Sequence, residues 1–375
     1  MNTIKFAPPA LALALLAATP ATHAFTFVFD YKLTVKDHRL TFHVDIPGYS
    51  QSGVSWNEGF EQAAGSWSMT TPIQINTVRQ ASDPCASRFD GIGGVGFSPD
   101  LCYQLIGPVS NTAVGVAIME LAHYSPTPYP NASVKTVDIP LKGTVQWDIY
   151  DGPIKYTPGG VVGGVPQPNI QTVDYRRVLK HELGHALGLG HSIFDSSLMT
   201  PVENDYFALS VDDICGVNVL HGHPEGCPIW LPNPVRLTGK PTTAVFVGGA
   251  SNDGGQTFSD YFQRWEVIDV MATVVVEDEH WNKAGRLHVV VELSDGTTLM
   301  KTDDGFAPWD WSVEALKTTA VKTLQGANEI QILKDFNLLA NGIGNVGVAM
   351  YIGYSLESEP DEIYYSGTPI MFRVE

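Results

Sequence analysis

The stretch His181-Glu182-Leu183-Gly184-His185-Ala186-Leu187-Gly188-Leu189-Gly190-His191 decides the reading of this chain. Val178, Leu179, Leu183, Ala186 and Leu187 recur at helical spacing and give the segment one apolar face. On such a helix His181 and His185 lie four residues apart, so both imidazoles leave the same side, one turn apart. Two nitrogens placed that way suit a single tetrahedral zinc ion. Glu182 stands beside the first of them, where a carboxylate can act as general base on water in the open position. The next helical turn cannot supply a third ligand without straining the tetrahedron. Gly188 and Gly190 release the backbone into a turn, and His191 can then swing back to the same ion.

Working outward, Thr172 or Asp174 can cap the start of this helix. Before it, Thr157 to Asn169 is rich in Gly, Pro and Val and reads as a loop. Further upstream, Ser55-Trp56-Asn57-Glu58 has the form of a capping box, and Trp56, Phe60, Ala63 and Trp67 follow at helical spacing. Leu40, Phe42 and Val44 alternate with polar neighbours as in a strand, and Ile73–Val78, Val114–Leu121 and Thr144–Tyr150 are further strand candidates. A third helix is expected from Ser210 to Leu220, with Ser210, Asp212 and Asp213 suited to its N-terminus.

Three features beyond the histidines refine the pattern. His191 is followed by Ser192. Ser197-Leu198-Met199-Thr200-Pro201 follows, with Met199 eight residues after His191, and Leu209-Ser210-Val211-Asp212-Asp213-Ile214 opens the last helix. Together they resemble the metzincin zinc metallopeptidases, and the matrixin branch in particular, over residues 25–222. The resemblance implies an α+β domain with three helices. Its twisted mixed sheet is mostly parallel and has one antiparallel edge strand that pairs extended peptide substrate. It implies one catalytic Zn2+ on His181, His185 and His191, Glu182 as the general base, and Met199 as the Met-turn residue beneath the metal. It also implies hydrolysis of internal peptide bonds in a protein or peptide substrate. Asp212 and Asp213 read first as acids of a helix N-terminus, with burial of one against the Met-turn as the other reading. Calcium stays open, because no calcium or structural-zinc loop is legible. No cysteine precedes Cys85, so a propeptide thiol latch is not expected.

The ends of the chain add context. Residues 1–24 read as a signal peptide: Lys5, then an apolar run from Ala7 to Ala18, then Thr22-His23-Ala24 as a cleavage site. Secretion to an extracellular or periplasmic space is therefore expected. Four cysteines in an exported chain suggest disulfides, and Cys85–Cys102 with Cys215–Cys227 close the shortest loops. The 375 residues carry 22 basic and 40 acidic side chains, a net charge of −18 that repels phosphate backbones and anionic lipid heads. Nucleic acid is excluded as a partner on that ground. No later segment is apolar for long enough to span a membrane, and a monomer is expected.

Prolines at 224, 228, 232, 234 and 241 mark residues 223–241 as a linker. Beyond it, from 242 to 375, alternating runs at Val267–Val276, Leu287–Leu293, Val346–Tyr354 and Ile363–Val374, with a hairpin turn at Asp295-Gly296, predict an all-β sandwich. A secreted binding or adhesion protein, with this β domain active and the zinc domain minor, is the alternative; the presence of Glu182 argues against it. His221 and His223 form an HxH pair whose spacing can bind metal, but such pairs in loops are usually incidental.

Overall fold

The computed structural model describes residue 27 and residues 32–375 apart from 87–89, 108, 111, 126–130, 160, 163–164, 167, 193–195 and 317. The expected signal peptide, residues 1–24, lies outside the described residues. Among the described residues no helix is long and apolar enough to cross a membrane.

The N-terminal part contains strands β1 (Lys32–Val35), β2 (Arg39–His43), β3 (Gln74–Val78), β4 (Gly93–Ser98), β5 (Ile118–Ser125) and β6 (Asn131–Lys142). They form one sheet in the order β1-β6-β4-β2-β3, with β5 also paired to β6. Every pairing is parallel except β5 with β6, which is antiparallel. Strand β6 thus has β1 and β4 along one side and β5 along the other, and β5 is a sheet edge. A second small sheet joins β7 (Gln146–Asp148), β8 (Lys155–Thr157) and β11 (Ile170–Asp174). Between these lies a two-residue pair, β9 (Val161–Val162) and β10 (Val165–Pro166), inside the stretch read as a loop.

Among the described residues four helices accompany the sheet: α1 (Trp56–Thr70), the single turn α2 (Tyr103–Ile106), α3 (Tyr175–Ala186) and α4 (Val211–Leu220). Their boundaries follow from local chemistry. Ser55 accepts the Glu58 N–H at the start of α1, and Asp174 accepts from Arg176 N at the start of α3. Ser210 and Asp213 form a reciprocal capping box on α4. The buried side of α1, with Phe60, Ala63 and Trp67, lies against the sheet and α3, and the Trp67 indole donates to the Lys180 carbonyl at 3.0 Å. That bond locks the register between α1 and the helix carrying His181.

The C-terminal part is strand-rich. It comprises β12 (Val235–Arg236), β13 (Val245–Ser251), β14 (Tyr261–Phe262), β15 (Val267–Val275), β16 (Ala284–Leu293), β17 (Thr298–Thr302), β18 (Gly305–Pro308), β19 (Ala320–Thr323), β20 (Ala327–Asn337), β21 (Val346–Leu356), β22 (Glu359–Tyr365) and β23 (Ile370–Val374). Strands β13, β15 and β20 form one sheet and the others a larger one. The β16–β17 hairpin turns at Asp295-Gly296, where Gly296 sits at φ 85°. Residues 229–236, read as linker, are held by this part. Leu231 N donates to the Phe246 carbonyl, Gly248 N donates to the Ile229 carbonyl, and Arg236 grips both oxygens of Glu277. Their prolines kept the strand pattern hidden while leaving enough N–H groups to pair.

The two parts share one apolar core that runs from Phe27 to Val374. Phe27 bridges them. It pairs with Leu189, just past α3, and its ring lies 6.1 Å from that of Trp281 in the C-terminal part. Lys32 also forms an ion pair with Asp278.

Candidate metal centre

Helix α3 ends because Gly188 takes φ +100°, a conformation that favours glycine, and because a Cβ there would strike the Leu33 carbonyl. The chain therefore turns under the helix and returns His191 toward His181 and His185. Ring centroids lie 4.7 Å apart for His181–His185, 5.4 Å for His181–His191 and 5.0 Å for His185–His191. One ring nitrogen from each falls within 4.8 Å of the others, a spacing that could hold one metal ion.

The tautomers suit that role. His181 Nδ1 is 2.6 Å from the Leu198 carbonyl oxygen, and His185 Nδ1 is 2.8 Å from that of Leu189. A carbonyl only accepts, so each Nδ1 carries the proton and each Nε2 keeps its lone pair. Burial pushes His181 down to about 4 and lowers His185 and His191 as well, so neutral imidazoles face the common centre at pH 7.

Glu182 is 6% exposed. Burial pushes its carboxyl up to about 8, while a hydrogen bond from the Ala117 backbone pulls the other way. That backbone belongs to the segment that leads into edge strand β5. Gly115 passes so close that a Cβ there would lie 2.9 Å from Glu182 Oε1. The carboxyl is thus sandwiched between its own helix and the start of the sheet edge.

Beneath the histidines, Met199 is fully buried, and Met199 O accepts from Ser192 N at 2.7 Å. Asp213, also fully buried, holds the turn before it. Its carboxylate accepts from Ser197 Oγ at 2.5 Å, Leu198 N at 3.0 Å and Ser210 N at 2.8 Å. Asp212 accepts from Ser192 Oγ at 3.0 Å. Both acids read from the helix N-terminus therefore face the metal loop as well.

A family model described as Matrixin matches residues 119–222. Over that stretch the chain resembles the matrixin branch of the metzincins. Among curated proteins it is 36% identical over 96 residues to human matrix metalloproteinase-19, covering 25% of this chain and 16% of that protein. It is 46% identical over 54 residues to rat matrilysin, 13% of this chain and 20% of that protein. With mouse stromelysin-1 it shares 28% identity over 164 residues, 38% of this chain and 34% of that protein. The matched stretch thus spans about a third or less of each of these relatives.

In this matrixin-like chain the residues singled out by spacing fall into three places. His181, Glu182, His185, His191 and Met199 come together around α3 and its return loop. Cys85 bonds Cys102 beside β4, and Cys215 bonds Cys227, tying α4 to the segment after it. Gly115 and Ala117 are the site residues that sequence reading missed. They carry no chemistry of their own, and only the sheet order brings them over a carboxylate more than sixty residues away.

Proposed function

We propose that this chain is a secreted zinc-dependent endopeptidase, with His181, His185 and His191 as the zinc ligands and Glu182 as the general base. The observation that carries the reading is the convergence of three neutral imidazoles on one point, beside a buried carboxyl at the head of an open sheet edge. Neutral nitrogen donors, each with an Nε2 lone pair or its equivalent turned inward, fit zinc better than they fit a hard oxygen-seeking cation. When bound, zinc supplies Lewis acidity toward the scissile carbonyl and the attacking water.

This chain's own residues do the rest. Edge strand β5 offers unpaired backbone groups on which an extended peptide adds as a further strand. That pairing lays the peptide past Glu182, because the same backbone runs from Gly115 over the carboxyl into β5. Glu182 takes a proton from the attacking water and returns it to the leaving amine. Burial raises the proton affinity of the carboxylate, which favours the first of these two transfers. Met199 and Asp213 keep the ligand loop in place without touching substrate. Two disulfides and the pattern of residues 1–24 support export.

The test is Glu182→Gln in zinc-loaded protein, assayed on denatured protein and on an internally quenched peptide. A loss of about 10²- to 10⁴-fold in kcat is expected, the range for removing a positioned general base, along with loss of wild-type cleavage in chelator. Cleavage by the variant at the wild-type rate, with zinc content and fold retained, sinks the mechanism.

A further inference from the structure

Strand β15 runs out into Glu277-Asp278-Glu279-His280, of which Asp278–His280 form a 3-10 turn. The turn bends His280 back, so that its N–H donates to the Glu277 carbonyl at 2.8 Å. Three donors come together as a result. One oxygen of Glu277, one of Glu279 and one ring nitrogen of His280 all lie within 4.8 Å of one another. His280 Nε2 is 3.9 Å from Glu277 Oε2 and 3.8 Å from Glu279 Oε1. These gaps are too long for hydrogen bonds. They are only slightly longer than the roughly 3.4 Å that separates two ligands of a tetrahedral zinc ion with bonds of about 2.1 Å.

His280 is 3% exposed, and Tyr354 holds it from behind, with the hydroxyl 2.9 Å from Nδ1. Its Nε2 has no hydrogen-bond partner among the described residues and faces both carboxylates. Burial keeps this histidine below the usual imidazole range against the pull of Glu277 and Glu279, so at neutral pH the ring is uncharged and does not neutralise them. A proton on Nδ1, donated to Tyr354, leaves the Nε2 lone pair for a cation.

Glu277 is fixed from its far side. Its Oε1 accepts from Thr242 Oγ1 at 2.7 Å, Thr243 N at 3.1 Å and Arg236 Nη2 at 2.9 Å. Among the described residues its Oε2 accepts from Arg236 alone, at 2.9 Å, and keeps a lone pair on the His280 side. Metal-binding carboxylates are commonly held by such outer hydrogen bonds. Arg236 offsets the charge of Glu277, and Lys32 offsets that of Asp278. Glu279 has no Lys or Arg partner among the described residues, and its side chain is 53% exposed. A groove of about 430 Å³, lined in part by Glu277 and Glu279, gives access from solvent.

We propose that Glu277, Glu279 and His280 form a second metal site, in the C-terminal part, that takes zinc or a similar borderline divalent ion on one imidazole nitrogen and two carboxylate oxygens. The imidazole sets the site against calcium and magnesium, which prefer oxygen shells. Glu277 and His280 are preplaced, and the exposed Glu279 closes onto the ion. The position of the turn gives the ion its role. Asp278 pairs with Lys32 of β1, Glu277 grips Arg236 of β12, and the next residue, Trp281, meets Phe27. The ion stiffens the turn at which the C-terminal part meets the N-terminal part. That role is structural and does not depend on the peptidase reading.

The test uses the full chain carrying Glu182→Gln, which avoids self-cleavage and leaves the three histidines of the α3 centre in place. Metal is stripped with a chelator, zinc is titrated back at neutral pH, and zinc per chain is counted by mass spectrometry beside Tm. Adding Glu279→Gln is expected to remove one zinc per chain, or to weaken that association at least tenfold, and to lose part of the zinc-induced rise in Tm. Tm in chelator should not change, because the Glu279 side chain has no other polar contact among the described residues. Asp278→Asn is the control. It removes the same charge from the same turn but no ligand, and should keep the ion. Equal zinc binding in parent and Glu279→Gln overturns the proposal, and so does an equal loss in Asp278→Asn, which marks a diffuse acidic field. If the α3 centre holds no zinc, every count falls by the same amount and the difference between parent and Glu279→Gln remains, so the two readings fail separately.

Discussion

Met199 fills the space that a side chain at Gly184 would need. The two positions are fitted to each other, the glycine on the metal-carrying helix and the methionine on the turn beneath it. At an exposed helix position Gly→Ala stabilises by about 1 kcal/mol through propensity alone. Here the Cβ meets Met199 Sδ and the Trp67 ring, and overpacking of a close-fitted core costs about 1–3 kcal/mol. The overlap is severe enough for the second effect to win. Gly184→Ala is therefore expected to destabilise, read as a lower denaturant midpoint, and to weaken zinc retention in a chelator competition. An unchanged or raised midpoint refutes the fit.

Asp213 gathers Ser197 Oγ, Leu198 N and Ser210 N around one fully buried carboxylate. Leu198 also supplies the carbonyl that orients His181. Asp213→Ala leaves buried donors without an acceptor and should cost roughly 2–4 kcal/mol, since each unmet donor costs about 1–3 kcal/mol and some will find water. Urea unfolding gives the stability loss. A parallel zinc titration should show weaker binding, because the His181 tautomer loses its support. If stability falls but zinc affinity is unchanged, the carboxylate serves only α4.

Much of this centre is legible in the sequence because it is local. Four-residue spacing puts His181 and His185 together, Gly188 explains the return of His191, and Ser210 marks a helix start by side-chain chemistry alone. What is not legible depends on strand order. Nothing near Gly115 hints that Glu182 will lie against it. Whether Asp212 or Asp213 is buried turns on which side of α4 meets Ser197, and in the fold both meet the loop. The 229–236 segment reads as linker because proline content outweighs its few alternating residues. His38 stands far from His221 in the chain, and Asp37 marks a turn there without showing what the turn will meet.

Asp138, on β6, offers a pH test. It is 6% exposed, accepts from Gly94 N at 2.7 Å, and is pushed up to about 7 by burial, with Asp90, Glu120 and Asp83 adding repulsion. Between pH 4 and 7 the folded chain holds a proton here that the unfolded chain has released. The folded state thus binds more protons, and this group's contribution to stability falls as pH rises through that window. Asp138→Asn keeps an acceptor for Gly94 and removes the titration. The variant is expected to gain stability relative to the parent steadily from pH 4 to 7 and to stay level above. A difference that is flat across the window contradicts the raised value.

Gly115 separates positioning from metal binding. A Cβ there would lie 2.9 Å from Glu182 Oε1 and 2.9 Å from Val178 Cγ1, both on α3. Neither contact can relax outward, because β5 is anchored to β6 on one side and α3 is tied to α1 by the Trp67–Lys180 bond on the other. The movable part is the carboxyl. Gly115→Ala is expected to displace it by several tenths of an ångström, and small displacements of a reacting group are costly in rate. We expect kcat on a short peptide to fall by about tenfold or more, in keeping with a general base worth 10²- to 10⁴-fold when correctly placed. Zinc per chain should not change, since the three histidines make no contact with Gly115 that the substitution alters. Gly65→Ala on α1, where an added Cβ meets nothing within 4 Å, is the control and should retain full activity. Loss of zinc along with activity in Gly115→Ala points instead to collapse of the whole centre, and full activity shows that the carboxyl is not held from this side.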